Sequence, residues 1–219
     1  MAFHNLPVLD TAILVISASA AILYGTQIRA TPSHSRMISK AASTALLSLF
    51  AGVRGESSLF MITALALGSV GDAFLAWPGE KAFLRGLGSF LVAHIFYIIL
   101  FARLGGGIEQ ILSDTWRQAL ATAILALAPV MAFVLVPRVG SALRLPIVLY
   151  SSIILVMVLT VLTVQNHQVI TGAILFALSD SILATDEFVV PADSHHRVWM
   201  QYAVWNLYYS GQLLIASGL

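Results

Sequence analysis

The chain has 219 residues, of which 59% are apolar and only 10% charged, with a mean hydropathy of +0.92. A soluble domain carries about 25% charged residues; the continuous apolar runs exclude one, and also exclude a membrane barrel, whose strands alternate. A net charge of +1 with no basic cluster gives nucleic acid no purchase, and the absence of Cys removes disulfides, thiolate metal sites and a Cys nucleophile.

The opening "MAFHNLPVLD" has no Lys or Arg. It therefore lacks the basic region of a cleavable signal, and the first apolar run reads as a retained span. Eight spans are expected, at 8–28, 38–54, 58–77, 83–103, 117–136, 144–164, 168–187 and 198–218. The second is short and begins at Lys40. The connections "RATPSHSR", "WPGEK", "VPRVG" and "TDEFVVPADSHHR" carry most of the charge and Pro, and "RLGGGIE" reads as a short interspan loop. The expected fold is all-α: a polytopic transmembrane bundle of about eight helices forming one integral membrane domain over 1–219. Loops after the odd-numbered spans hold Arg29, Arg36, Lys40, Lys81, Arg85, Arg138, Arg144 and Arg197; the other face holds Arg54, Arg103 and Arg117. The bias puts the odd loops in the cytoplasm and both termini outside. In a bacterium this would be the inner membrane.

"LGSVGDAFLA" at 67–76 and "LFALSDSILA" at 175–184 share a frame: one Asp after a small residue, closing on Leu-Ala. Asp180 lies about half the chain beyond Asp72. The third span aligns with the seventh and the fourth with the eighth, where His94 and Tyr97 stand three apart, as do Trp205 and Tyr208. The expectation is two parallel four-helix repeats, approximately 1–110 and 111–219. Even-numbered halves share orientation and are related by an axis along the membrane normal. Asp72 and Asp180 would then sit at one depth, about one turn from the cytoplasmic ends of their spans, facing a shared cavity.

A carboxylate inside a span costs several kcal/mol and usually faces the bundle interior or a wet cavity. Gly68, Gly71 and Ala76 near Asp72, and Ala177 and Ser179 near Asp180, let backbones approach closely. The plainer alternative for each Asp is a helix-packing hydrogen bond. Phe90, His94, Tyr97 and Phe101 share one face of the fourth span, and Trp205, Tyr208, Tyr209 and Gln212 one face of the eighth. Trp199 and Tyr202, near a span start, read as an interfacial belt. His94, Tyr208 and Gln212 fall mid-span and need polar partners. Lys40 either snorkels to the headgroups or reaches a carboxylate or a phosphate. Tyr150, after Pro146 in the sixth span, could line the same cavity.

His4, His34, His195 and His196 read as loop or terminal residues, and the "HH" pair lacks ligand spacing, so no metal and no cofactor is expected. There is no G-x-S-x-G, no H-E-x-x-H and no phosphate loop after a strand. What remains is two carboxylates with Tyr, His and Gln support, a set suited to general acid–base hydrolysis.

"GDAFL", "GLGSFLVAHIFY", "PIVLY", "GAILFALSDSILA" and "YYSGQLLIASG" together resemble the YhhN family of membrane proteins over most of residues 60–219. That family often has Lys-Pro at the start of its second span; here Lys40 is followed by Ala41. The resemblance implies a lysoplasmalogenase, with a lysophospholipid as substrate and membrane lipids as surroundings. It would cleave the vinyl ether bond to a fatty aldehyde and glycerophosphoethanolamine or glycerophosphocholine. Asp72 and Asp180 would act as acid and base. Tyr97, Tyr150, Tyr208 and Gln212 would orient water and substrate oxygen, His94 would tune a carboxylate, and Lys40 would sit near the headgroup phosphate. A small proton-coupled transporter and a non-catalytic lysolipid-binding protein are the alternatives, as is another lysolipid or ether lipid as substrate.

Overall fold

The computed structural model describes residues 6–54 and 58–219; His4 lies outside the described residues. The described residues form helices α1 (Leu6–Gln27), α2 (His34–Val53), α3 (Leu59–Leu75), α4 (Glu80–Leu104), α5 (Ile108–Ser113), α6 (Thr115–Leu135), α7 (Ser141–Val161), α8 (His167–Phe188) and α9 (His196–Gly218). A single 3-10 turn, Val136–Arg138, follows α6.

The eight longer helices overlie the eight apolar stretches, and five of them are long and apolar enough to cross a membrane: α1 from Val8, α4, α6 with its 3-10 turn, α7 and α8. Helix α3, at 17 residues, falls short of the ~20 that a bilayer core asks for. Ser, Arg and Lys dilute α2, and Asn, Gln and Tyr dilute α9. Large apolar side chains point outward, among them Phe133 at 81% and Ile22 at 70% exposure. Such surface is costly in water and favourable in lipid, and the chain is an integral membrane protein.

The elements differ from the sequence expectation in several places. Helix α2 starts at His34, where the Ser33 hydroxyl accepts from the Arg36 N–H, so Lys40 lies two turns inside the helix rather than at its start. His34 and His196 each open a helix. The loop after "RLGGG" carries the short helix α5, anchored by buried Ile111. Asp72 is one turn from the end of α3, but α8 runs two turns beyond Asp180, to Phe188.

The described chain forms two compact units, Met1–Leu100 with Gln212–Leu219, and Phe101–Gly211. In the first, small hydroxyl side chains tie helix to helix. Ser17 of α1 donates to the Ser43 carbonyl at 2.7 Å, Ser48 of α2 to Ile62 at 2.8 Å, Ser69 of α3 to Ala41 at 2.8 Å, and Ser89 of α4 to Leu67 at 2.7 Å. Each such hydroxyl allows the close approach that lipid-embedded helices use. Fully buried Leu47, Met61, Ala64 and Leu65 fill the space between. Gly71 lies under the Phe90 ring, where a Cβ would come within 2.6 Å of the ring edge. Arg36 donates to the carbonyls of Gln27, Ile28 and Ala76, which closes the C-terminal ends of α1 and α3.

In the second unit, Leu135, Val139 and Ile147 form an apolar cluster with Met131, Leu143, Ala184, Phe188 and Val189 packed on it. Arg117 of α6, only 2% exposed, donates to the Leu162 and Val164 carbonyls past the end of α7 and pairs with Asp114 at 2.8 Å. Arg197 does the same for α8, donating to the Asp186 carbonyl and pairing with its carboxylate at 3.2 Å. Gly211 of α9 lies against the Gly172 carbonyl and the Phe176 backbone of α8.

Candidate functional site

Asp72 is 1% exposed, and helix α2 supplies donors to both of its oxygens. The Lys40 ammonium stands 3.4 Å from Oδ1, and the Thr44 hydroxyl donates to Oδ2 at 2.9 Å. Lys40 and Thr44 are four residues apart, so one helical face presents both. The Lys40 Nζ also lies 5.5 Å from the centroid of the Tyr24 ring of α1. Gly71 lets α4 press close beside the Asp. Taking a carboxylate and an ammonium out of water is offset only by good geometry with further hydrogen bonds, and the Thr44 hydroxyl supplies one of these.

Asp180, 9% exposed, is likewise met by the preceding helix. The Tyr150 hydroxyl of α7 donates to its Oδ2 at 2.7 Å. Tyr150 comes one turn after Pro146, which has no N–H to give the helix ladder. The neighbouring Ser179 hydroxyl is spent on the Phe176 carbonyl at 2.7 Å.

The other residues expected at a site are buried in the helices. His94 of α4 has its Nδ1 2.6 Å from the Phe90 carbonyl one turn back. A carbonyl only accepts, so that nitrogen carries the proton. The Tyr97 hydroxyl donates to the Gln212 Oε1; both residues are fully buried. The Gln212 Nε2 has no hydrogen-bond partner among the described residues. Tyr208 stands edge-on to Phe176 at 5.5 Å between ring centroids. Among the described residues, no three His, Cys, Asp or Glu side chains gather where a metal could bind.

The structure thus brings together Lys40 with Asp72, Tyr150 with Asp180, and Tyr97 with Gln212. Asp72 belongs to the first unit and Asp180 to the second, each with its own partners. Thr44 escaped the sequence reading. The only signal for it was its position one turn after Lys40, and a Thr in an apolar helix is ordinary. Chemically, each Asp is a carboxylate held in a fixed orientation within apolar surroundings. That suits proton transfer or stabilisation of a developing cation and needs no covalent nucleophile.

Several curated proteins are similar to this chain in sequence. The chain is 35% identical to lysoplasmalogenase TMEM86B of Homo sapiens over 69% of this chain and 59% of the relative. It is 30% identical to a lysoplasmalogenase of Mycobacterium bovis over 81% of this chain and 67% of the relative. It is 28% identical to lysoplasmalogenase TMEM86A of Bos taurus over 73% and 65% respectively. The chain therefore spans about three fifths to two thirds of the length of these relatives. No solved structure matches it. The YhhN family description matches residues 35–219, a stretch that takes in Lys40, Thr44 and Asp72 as well as Tyr150 and Asp180, and the chain belongs to the YhhN family.

Proposed function

We propose that this chain hydrolyses the vinyl ether bond of a lysoplasmalogen, releasing a fatty aldehyde and a glycerophospho-headgroup such as glycerophosphoethanolamine or glycerophosphocholine. The observation that carries the reading is a buried carboxylate in each unit, clasped by a donor from the preceding helix. The curated relatives' name, lysoplasmalogenase, supports the substrate class.

The chemistry follows from the bond. A proton is transferred to the outer carbon of the vinyl ether, and the adjacent carbon becomes an oxocarbenium-like cation. Water adds to that carbon and loses a proton. The hemiacetal then breaks its bond to the glycerol oxygen, which takes a proton and leaves as an alcohol, and the aldehyde remains. One water is consumed and no electrons change hands. Two carboxylates divide this work in glycoside hydrolysis, where the cation is similar, and Asp72 and Asp180 fill those roles here. Tyr150 holds Asp180, His94 tunes a carboxylate, and Tyr97, Tyr208 and Gln212 serve water and substrate oxygen.

The test is fatty-aldehyde release from 1-alkenyl-glycerophosphoethanolamine by the purified chain. Asp72→Asn and Asp180→Asn are each expected to lower the rate by at least ~100-fold, the usual worth of a positioned acid or base. A folded variant that retained near wild-type release would remove its Asp from the mechanism.

A further inference from the structure

The sequence leaves the Lys40 ammonium open to the headgroups, to a carboxylate or to a substrate phosphate. Its surroundings assign it to the carboxylate. The Lys40 side chain is only 11% exposed, with Asp72 Oδ1 at 3.4 Å and the Tyr24 ring at 5.5 Å. Arg36, one turn earlier on the same helix, donates to the carbonyls of Gln27, Ile28 and Ala76. Both cations in the first two turns of α2 are therefore engaged within their own unit. An ammonium that left Asp72 for a phosphate would break an ion pair to a carboxylate that is 1% exposed, and breaking a buried pair is strongly destabilising.

Resting on the vinyl ether reading, we propose that Lys40 and Thr44 are positioning residues for Asp72, and that Lys40 does not bind the substrate phosphate. Lys40 balances the charge of Asp72 at Oδ1. Thr44 fixes the carboxylate plane by donating to Oδ2. Together they set which lone pairs face the reacting carbon or water. A group that works only through another should affect the chemical step rather than substrate binding, so kcat should fall while KM holds. A phosphate ligand would do the reverse, and only for substrates that carry a phosphate.

The experiment compares two substrates in the purified full chain: 1-alkenyl-glycerophosphoethanolamine, and 1-alkenylglycerol, which lacks the phosphate. Thr44→Val is expected to lower kcat about tenfold on both with KM unchanged, the scale of a lost hydrogen bond to a charged group. Thr44→Ser, which keeps the hydroxyl, is expected to stay within about twofold of wild type, and Thr44→Ala serves as a second hydroxyl-free variant if valine does not fold. Lys40→Gln is expected to lower kcat equally on both substrates, with Lys40→Arg restoring part of it. A rise in KM for Lys40→Gln on the phosphate substrate alone would return Lys40 to the headgroup and overturn the proposal. Wild-type kcat in folded Thr44→Val would overturn the role of Thr44. If the wild-type chain released no aldehyde from either substrate, the vinyl ether reading would fall and this role with it. Aldehyde release from wild type with unimpaired variants would sink this role alone.

Discussion

Arg117 is a buried cation inside a chain whose composition argues against burying any. Its guanidinium reaches the Leu162 and Val164 carbonyls, which the end of α7 leaves without helical partners, and it pairs with Asp114, whose side chain is 39% exposed. The two kinds of contact differ in worth. A buried carbonyl left without a donor costs about 1–3 kcal/mol, whereas a half-exposed ion pair is worth about 0–1 kcal/mol. Arg117→Met is therefore expected to lower the melting temperature of the purified protein clearly, and Asp114→Asn to change it little. Equal losses would place the stabilisation in the ion pair instead. At this scale the aspartates were legible in sequence, because a carboxylate in an apolar run is expensive enough to need a reason. Thr44 was not legible, since a Thr in such a helix can spend its hydroxyl on its own backbone. Only the rotation of α2 against α3 directs it to Asp72.

Helix beginnings and helix ends are specified differently in this chain. Ser33, Ser58 and Asn166 accept N–H groups from the first turns of α2, α3 and α8, and such caps can be read locally. The ends of α1, α3, α7 and α8 depend on Arg36, Arg117 and Arg197, which reach across sequence. Helix contacts show the same contrast. Gly211 faces backbone of α8, with the Gly172 carbonyl 2.7 Å and the Phe176 nitrogen 3.0 Å from where a Cβ would stand. Backbone cannot step aside as a side chain can, so Gly211→Ala is expected to destabilise by about 1–3 kcal/mol. Gly25 of α1 has nothing within 4 Å of its Cβ position, and Gly25→Ala should be neutral or stabilising by up to about 1 kcal/mol. Thermal melting of both variants checks the pair, and a neutral Gly211→Ala would mean that α8 and α9 are not in close contact there. Within each unit, the Asp-bearing helix takes its donor from the helix before it, α2 for α3 and α7 for α8.

For the molecule as a whole, the basic-residue bias makes a directional prediction. Asp193 lies in an odd-numbered connection and Gly106 in an even one, and both are exposed. The chain has no Cys of its own, so a single introduced thiol reports without background. In intact cells, Gly106→Cys is expected to react with a membrane-impermeant maleimide, and Asp193→Cys only after permeabilisation; the opposite pattern would invert the topology. The membrane class, the places of the long helices and the two aspartates worth asking about were all determined by the sequence alone. Each depends on local apolar content or on the cost of one charge in it. The partners of those aspartates, the commitment of Lys40 to Asp72, the closure of helix ends by distant arginines and the helix α5 within a glycine loop were decided only by tertiary structure. Those features depend on how each helix is rotated and how far it slides along its neighbour, and residues far apart in the chain set these jointly through packing.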